Sequence, residues 1–116
     1  MFRRPIELLL SDICQAIDRI EQYIEELSFE VFSKDQKSID AVVRNLEIIG
    51  EAANRLPDEF KGKYSEIEWH KVVGLRHRIV HGYFGIDLEI IWQILRRDLP
   101  ELKHKVIQIM NEEGRS

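Results

Sequence analysis

The residues best equipped for chemistry are concentrated in LRHRIVHGYF, from Leu75 to Phe84, where Arg76, His77, Arg78, His81 and Tyr83 interrupt an otherwise apolar stretch. Cutting an RNA phosphodiester calls for three groups. A base takes the 2′-hydroxyl proton, an acid protonates the leaving 5′-oxygen, and a cation offsets the charge developing on the phosphorus oxygens. His81 is the candidate acid or base, because an unperturbed imidazole titrates at about 6.5. Arg76 is the candidate phosphate holder through its bidentate guanidinium edge. Tyr83 is placed to orient the phosphate or stack on a base. His77 and Arg78 are candidate substrate contacts.

The spacing R-x4-H constrains how these groups can meet. Five residues turn an ideal helix by about 500°, so Arg76 and His81 on one straight helix point roughly 140° apart. Two arrangements bring them to one ligand: the helix unwinds at Gly82, or the site is assembled from two chains. Val72, Val73, Leu75, Ile79 and Val80 fall on an arc roughly 160° wide with Arg76 near its middle. A guanidinium there requires a partner carboxylate, a ligand phosphate or a second subunit, since burying an unpaired charge costs several kcal/mol. Structural roles compete with each assignment. Arg76 can pair with Glu47 or Glu51, His81 can face free carbonyls at a helix end, and Tyr83 can pack as a loop aromatic. His77 and His81 stand i, i+4 but lack an HExxH or Cys/His cluster, so no metal site and no cofactor is expected.

The elements that must position these residues are helical. Pro5 opens a first amphipathic helix striped by Ile6, Leu9, Ile13, Ile17, Ile20, Ile24 and Leu27. Phe29, Val31 and Phe32 follow as an apolar cap to the bundle. A second helix is expected from about Asp35 to Leu56, ended by Pro57, and its mid-helix Gly50 marks close packing. Pro57 to Tyr64 reads as a polar connector with room for a short turn of helix. Ser65 and Glu68 form a capping-box pattern before a third helix that carries Trp69, Val72, Val73 and the Arg76 region. Gly82 and Gly85 bracket a turn, and Asp87 is the N-cap of a helix from Leu88 to Arg97 with Leu88, Ile91, Trp92 and Leu95 as its stripe. Asp98 and Pro100 mark a break or kink before Leu102, Val106, Ile109 and Met110. Arg96 and Arg97 read as a solvated face, and His70 and His104 as surface residues. The fold expected is all-α, an up-and-down bundle of four to five helices in one domain over residues 1–116.

Composition narrows the function. A chain of 116 residues with 33% charged residues suits one folded domain. The net charge of −4 argues against broad electrostatic binding of nucleic acid and permits a local basic cleft. The single cysteine, Cys14, lies on the apolar stripe and forms no intrachain disulfide. With no secretory pattern and no membrane-length apolar run, the expected location is cytoplasmic, with no membrane association.

Three stretches at matching separations, AVVRNLEIIGEAANRLP, GLRHRIVHGYFGID and WQILRRDLPELK, closely resemble the HepT-like ribonuclease toxins of the HEPN superfamily. The resemblance implies an all-α homodimer whose R-x4-H motifs line a cleft at the dimer interface and cut RNA, whether tRNA or mRNA, without a metal. It carries the catalytic roles to Arg76 and His81 and the tyrosine of R-x4-H-x-Y to Tyr83. It further implies a minimal nucleotidyltransferase antitoxin that attaches AMP to Tyr83, in a type VII-like toxin–antitoxin pair. One residue departs from the pattern: His77 stands where the family often has asparagine. The competing readings are a non-catalytic helical subunit that docks a nucleotidyltransferase or holds a nucleotide, and a structural dimer in which Arg76 pairs with Glu51.

Overall fold

The computed structural model describes residues 4–75 and 88–114. Every regular element among them is helical, as the apolar periodicities require. Helix α1 (Ile6–Ile24) buries Leu9, Ile13, Ile17, Ile20 and Ile24 of the expected stripe, together with Leu10 and Ala16, while Ile6 and Leu27 are only partly buried. It ends three residues before Leu27. Helix α3 (Gln36–Arg55) packs along it, burying Ile39, Val42, Leu46, Ile49 and Ala53. Gly50 is buried on the same helix, in agreement with a packing role. Side chains of this kind stabilise by about 1.5–3 kcal/mol each when fully buried, so the α1–α3 seam carries much of the fold.

The start of α3 is fixed by Asp35, whose carboxylate accepts from the Ser38 hydroxyl at 2.7 Å and faces the Ser38 amide. The hydrogen bond from the Ser38 side chain holds the Asp35 carboxyl below its ordinary pKa. A carboxyl depressed in the folded state stabilises the fold above its unfolded pKa, and that stabilisation is lost as pH falls through the folded value. The difference in Tm between the wild-type protein and Asp35→Ala is therefore expected to be largest near neutrality and to close on acidification through the carboxylate range. Thermal melts of both proteins across pH check this, and a difference constant with pH refutes it.

Between α1 and α3, the short helix α2 (Phe29–Phe32) is capped by Ser28 and inserts Phe32, which is fully buried. Its ring lies 5.1 Å from that of Trp92, and Phe29 lies 6.2 Å from the same indole. The expected bundle cap is thus formed by Phe29 and Phe32, while Val31 faces solvent.

Pro57 ends α3 and opens α4 (Asp58–Lys63), so the connector is itself mostly helical. The capping box expected at Ser65 and Glu68 does not form. Helix α5 (Trp69–Val73) has Glu68 itself at its N-cap, and the Glu68 side chain reaches outward to Lys71 at 2.7 Å. Aromatic packing sets this boundary. Trp69 donates its indole N–H to the Tyr64 carbonyl at 3.0 Å, and the Phe60 ring packs at a tilt against both Tyr64 and Trp69.

After residue 87 the chain continues as α6 (Leu88–Gln93), a π-helical turn (Ile94–Asp98) and α7 (Leu99–Gly114). The kink expected at Pro100 takes this form because proline has no N–H for the Arg96 carbonyl and its ring crowds that oxygen. The Leu99 amide instead reaches back five residues to the Ile94 carbonyl. The wider turn keeps Ile94, Leu95 and Leu99 all on the buried side. Helix α7 packs on α1, with Lys103 bridging to Asp18, and its end is tied to α4 by Glu113, which accepts from the Tyr64 hydroxyl and from Lys63.

Candidate functional site

Arg76, His77, Arg78, His81 and Tyr83 lie outside the described residues, as do Gly82, Gly85 and Asp87. What the structure defines is the pair of elements that deliver them. On the entry side, α5 is anchored by buried Trp69 and Val72, and Leu75 is buried immediately before Arg76. Gly74 closes α5 with right-handed backbone, and its amide bonds the His70 carbonyl. A Cβ at Gly74 would stand only 3.1 Å from the His70 carbonyl oxygen, so this close turn favours glycine.

On the exit side, α6 is held by Trp92. One part of its indole meets Phe29 and Phe32, and the Arg96 guanidinium lies 4.7 Å from the ring centroid. Arg96 is not simply solvated, which corrects the sequence expectation. Its Nη2 donates to the Ile24 carbonyl at 3.2 Å and the Leu27 carbonyl at 2.9 Å. Ile24 is the last residue of α1 and Leu27, whose amide also bonds the Ile24 carbonyl, lies just beyond it, where carbonyls run short of helical donors and a cation complements the helix dipole. Arg97 is exposed, as expected, and so are His70 and His104.

A cavity of about 210 Å³ lies between α5 and the α6–α7 limb. Ile67, Val72, Leu75, Ile94, Leu99 and Leu102 contribute its apolar lining, and its rim is mostly acidic, with Glu66, Glu68, Asp98 and Glu101. Lys71 and Lys105 are on that rim too, each in an ion pair with a glutamate.

The two carboxylates expected as partners for Arg76, Glu47 and Glu51, are both among the described residues, and Glu47 is exposed. Glu51 forms an i, i+4 ion pair with Arg55 at 3.2 Å, with both side chains about half exposed. It is a surface pair on one helix, of the kind worth about 0.3–0.5 kcal/mol. Asn45, by contrast, is 4% exposed and is the one buried polar or charged residue among those described. Its Nδ2 donates to the Ala41 carbonyl at 2.8 Å, while its Oδ1 has no hydrogen-bond partner among the described residues. An orphaned buried acceptor costs about 1–3 kcal/mol. The sequence carried a signal for it: Asn45 follows Val42 by three positions and precedes Ile49 by four, which puts an amide on the apolar stripe.

The other reactive side chain is quiet. Cys14 is partly buried against the core, and burial first, with Asp18 adding to it, pushes its thiol pKa up despite the opposing charge of Lys103. A thiol so protonated is a poor nucleophile. Among the described residues no group of three or more His, Cys, Asp or Glu side chains is arranged to hold a metal, and no helix is long and apolar enough to cross a membrane.

The sequence model described as "Ribonuclease HepT-like" matches residues 13–109. A protein of Thermococcus cleftensis named "Probable ribonuclease HepT" is 43% identical over 96 residues, covering 83% of this chain and 87% of that one. A protein of Caldanaerobacter subterraneus named "Putative RNase" is 39% identical over 90% of this chain and 93% of its own length. A third, from Methanocaldococcus jannaschii, is named as both a gamma-glutamylcyclotransferase and an RNase; the 36% identical region spans 95% of this chain and 50% of that longer protein. No solved structure matches. The chain belongs to the HepT-like ribonuclease family.

Proposed function

We propose that this protein is a metal-independent endoribonuclease toxin whose site is built from Arg76 and His81 at the interface of a homodimer. The observation that carries the reading is the intact R-x4-H-x-Y of Arg76, His81 and Tyr83 in a chain of the HepT-like ribonuclease family. Two copies supply two imidazoles, one to take the 2′-hydroxyl proton and one to protonate the 5′-oxygen as the P–O5′ bond breaks. The new bond from the 2′-oxygen to phosphorus leaves a 2′,3′-cyclic phosphate and a free 5′-hydroxyl. Arg76 holds the non-bridging oxygens, and His77 and Arg78 contact the substrate. A local cationic site on a chain of net charge −4 fits an RNA, tRNA or mRNA, gripped chiefly where it is cut.

Silencing follows from the same geometry of sequence. A minimal nucleotidyltransferase antitoxin transfers AMP from ATP to the Tyr83 hydroxyl, releasing pyrophosphate. The added phosphate then places negative charge two residues from His81 and competes for Arg76 or Arg78. Purified protein incubated with total tRNA and a defined mRNA in excess chelator is expected to generate 2′,3′-cyclic phosphate ends. After co-expression with such a nucleotidyltransferase, intact-mass analysis is expected to show added AMP, absent in Tyr83→Phe. Unmodified protein that cuts neither RNA supports instead a non-catalytic subunit that docks the transferase.

A further inference from the structure

The cavity between α5 and the α6–α7 limb has an apolar floor and a rim whose charges do not balance. On the limb side, the π-helical turn and Leu99 just after it form the wall, with Ile94 and Leu99 in the floor and Asp98 on the rim. Val72 of α5 and Leu102 of α7 extend the floor. At about 210 Å³ the space exceeds the roughly 150 Å³ that takes up a benzene-sized molecule, so one aromatic or branched aliphatic side chain fits inside.

The rim carries four carboxylates, Glu66, Glu68, Asp98 and Glu101, against two lysines. Lys71 is held by Glu68 at 2.7 Å and Lys105 by Glu101 at 3.2 Å. Glu66 and Asp98 are both exposed, and neither has an ion-pair partner among the described residues. The two are set apart. Glu66 lies beside Lys105, whose Nζ reaches the Glu66 carbonyl at 3.5 Å, and Asp98 precedes Lys105 by seven positions, about 10 Å at the rise of a helix. An apolar hollow between two surplus negative charges complements an apolar side chain between two cations. The phosphates of an RNA would be repelled here.

We propose that this cavity docks a partner protein, which lays an amphipathic helix across it, inserts one large apolar side chain, and sets Lys or Arg on each side opposite Glu66 and Asp98. The inference does not depend on the ribonuclease reading above. The apolar anchor supplies the affinity, and the rim charges, screened by water and salt, supply orientation and partner choice.

The test titrates the full chain into a fluorescein-labelled peptide of about 18 residues, long enough to be partly helical alone, with a central Phe and a Lys three positions before and four after it. Anisotropy is expected to show saturable binding, weakened by about tenfold or more in Glu66→Lys/Asp98→Lys and when the Phe is replaced by Ala. The double variant is expected to melt near the wild-type temperature, as exposed substitutions do. A peptide with Glu in place of each Lys is expected to fail on the wild type and to bind the reversed variant, a rescue that a merely structural role of Glu66 and Asp98 would not give. Amide NMR shifts on binding are expected around Glu66 to Val72 and Asp98 to Lys105. No saturation by about 1 mM peptide, the weak end of specific affinity, overturns the proposal. So does binding indifferent to both charge reversals, or binding whose amide shifts map to another face. Self-association of the wild type that the double variant abolishes, with no peptide bound, makes a second copy the occupant and also overturns it.

Discussion

His81→Ala is expected to lower kcat/KM for RNA cleavage by about 10²- to 10⁴-fold, the range that a positioned general acid or base supplies. Alanine cannot take the 2′-hydroxyl proton or return one to the 5′-oxygen, so the loss should fall mainly on kcat. KM should change less on the proposed reading, in which Arg76, His77 and Arg78 hold the phosphate and its neighbours. The competing structural role, an imidazole facing carbonyls at a helix end, is worth about 0.3–1 kcal/mol of stability and carries no rate effect of this size. Single-turnover cleavage with paired thermal melts separates the two. A variant with unchanged Tm that cuts within a few-fold of the wild-type rate removes His81 from the chemistry. In cells, the toxin reading proposed above expects growth arrest on expression of the wild-type protein alone and its relief by the same substitution.

Phe32→Ala is expected to cost about 3–5 kcal/mol of stability, the usual range for deleting a buried phenyl group. Phe32 is fully buried, and its ring is the nearer of the two that pack on Trp92. Truncation therefore removes apolar burial from α2 and leaves one face of the indole unpacked. Trp92 belongs to α6, the exit flank of the motif segment, so the damage reaches the site through packing rather than through chemistry. Chemical denaturation gives the stability change, and Trp92 emission should shift to the red in the folded variant. A cost under about 1 kcal/mol would mean that the neighbouring side chains close the cavity.

Much of this frame was legible in the sequence because helix formation is local. Apolar residues three and four apart define the buried faces of α1 and α3, and Asp35 and Pro57 bracket α3 by capping it and by stopping it. The R-x4-H-x-Y order and its family resemblance needed no coordinates either, and the family is borne out across residues 13–109.

Tertiary structure decided what distant residues do to one another. Arg96 looked like one of two solvated arginines, yet it hydrogen-bonds carbonyls 69 and 72 positions away, because α6 brings it to the exhausted end of α1. Ser65 and Glu68 had capping-box spacing, and the indole of Trp69, bonded to the Tyr64 carbonyl, set the helix start elsewhere. Pro100 announced a kink, while the π-helical form followed from the need to keep Ile94, Leu95 and Leu99 buried together. Asn45 stands at stripe spacing between Val42 and Ile49, but only the packed core showed that it is buried and that its oxygen is left without a donor among the described residues. Periodicity reports which face of a helix is buried. The partner each buried or capping polar group meets depends on elements far away in the chain, and sequence spacing does not encode it.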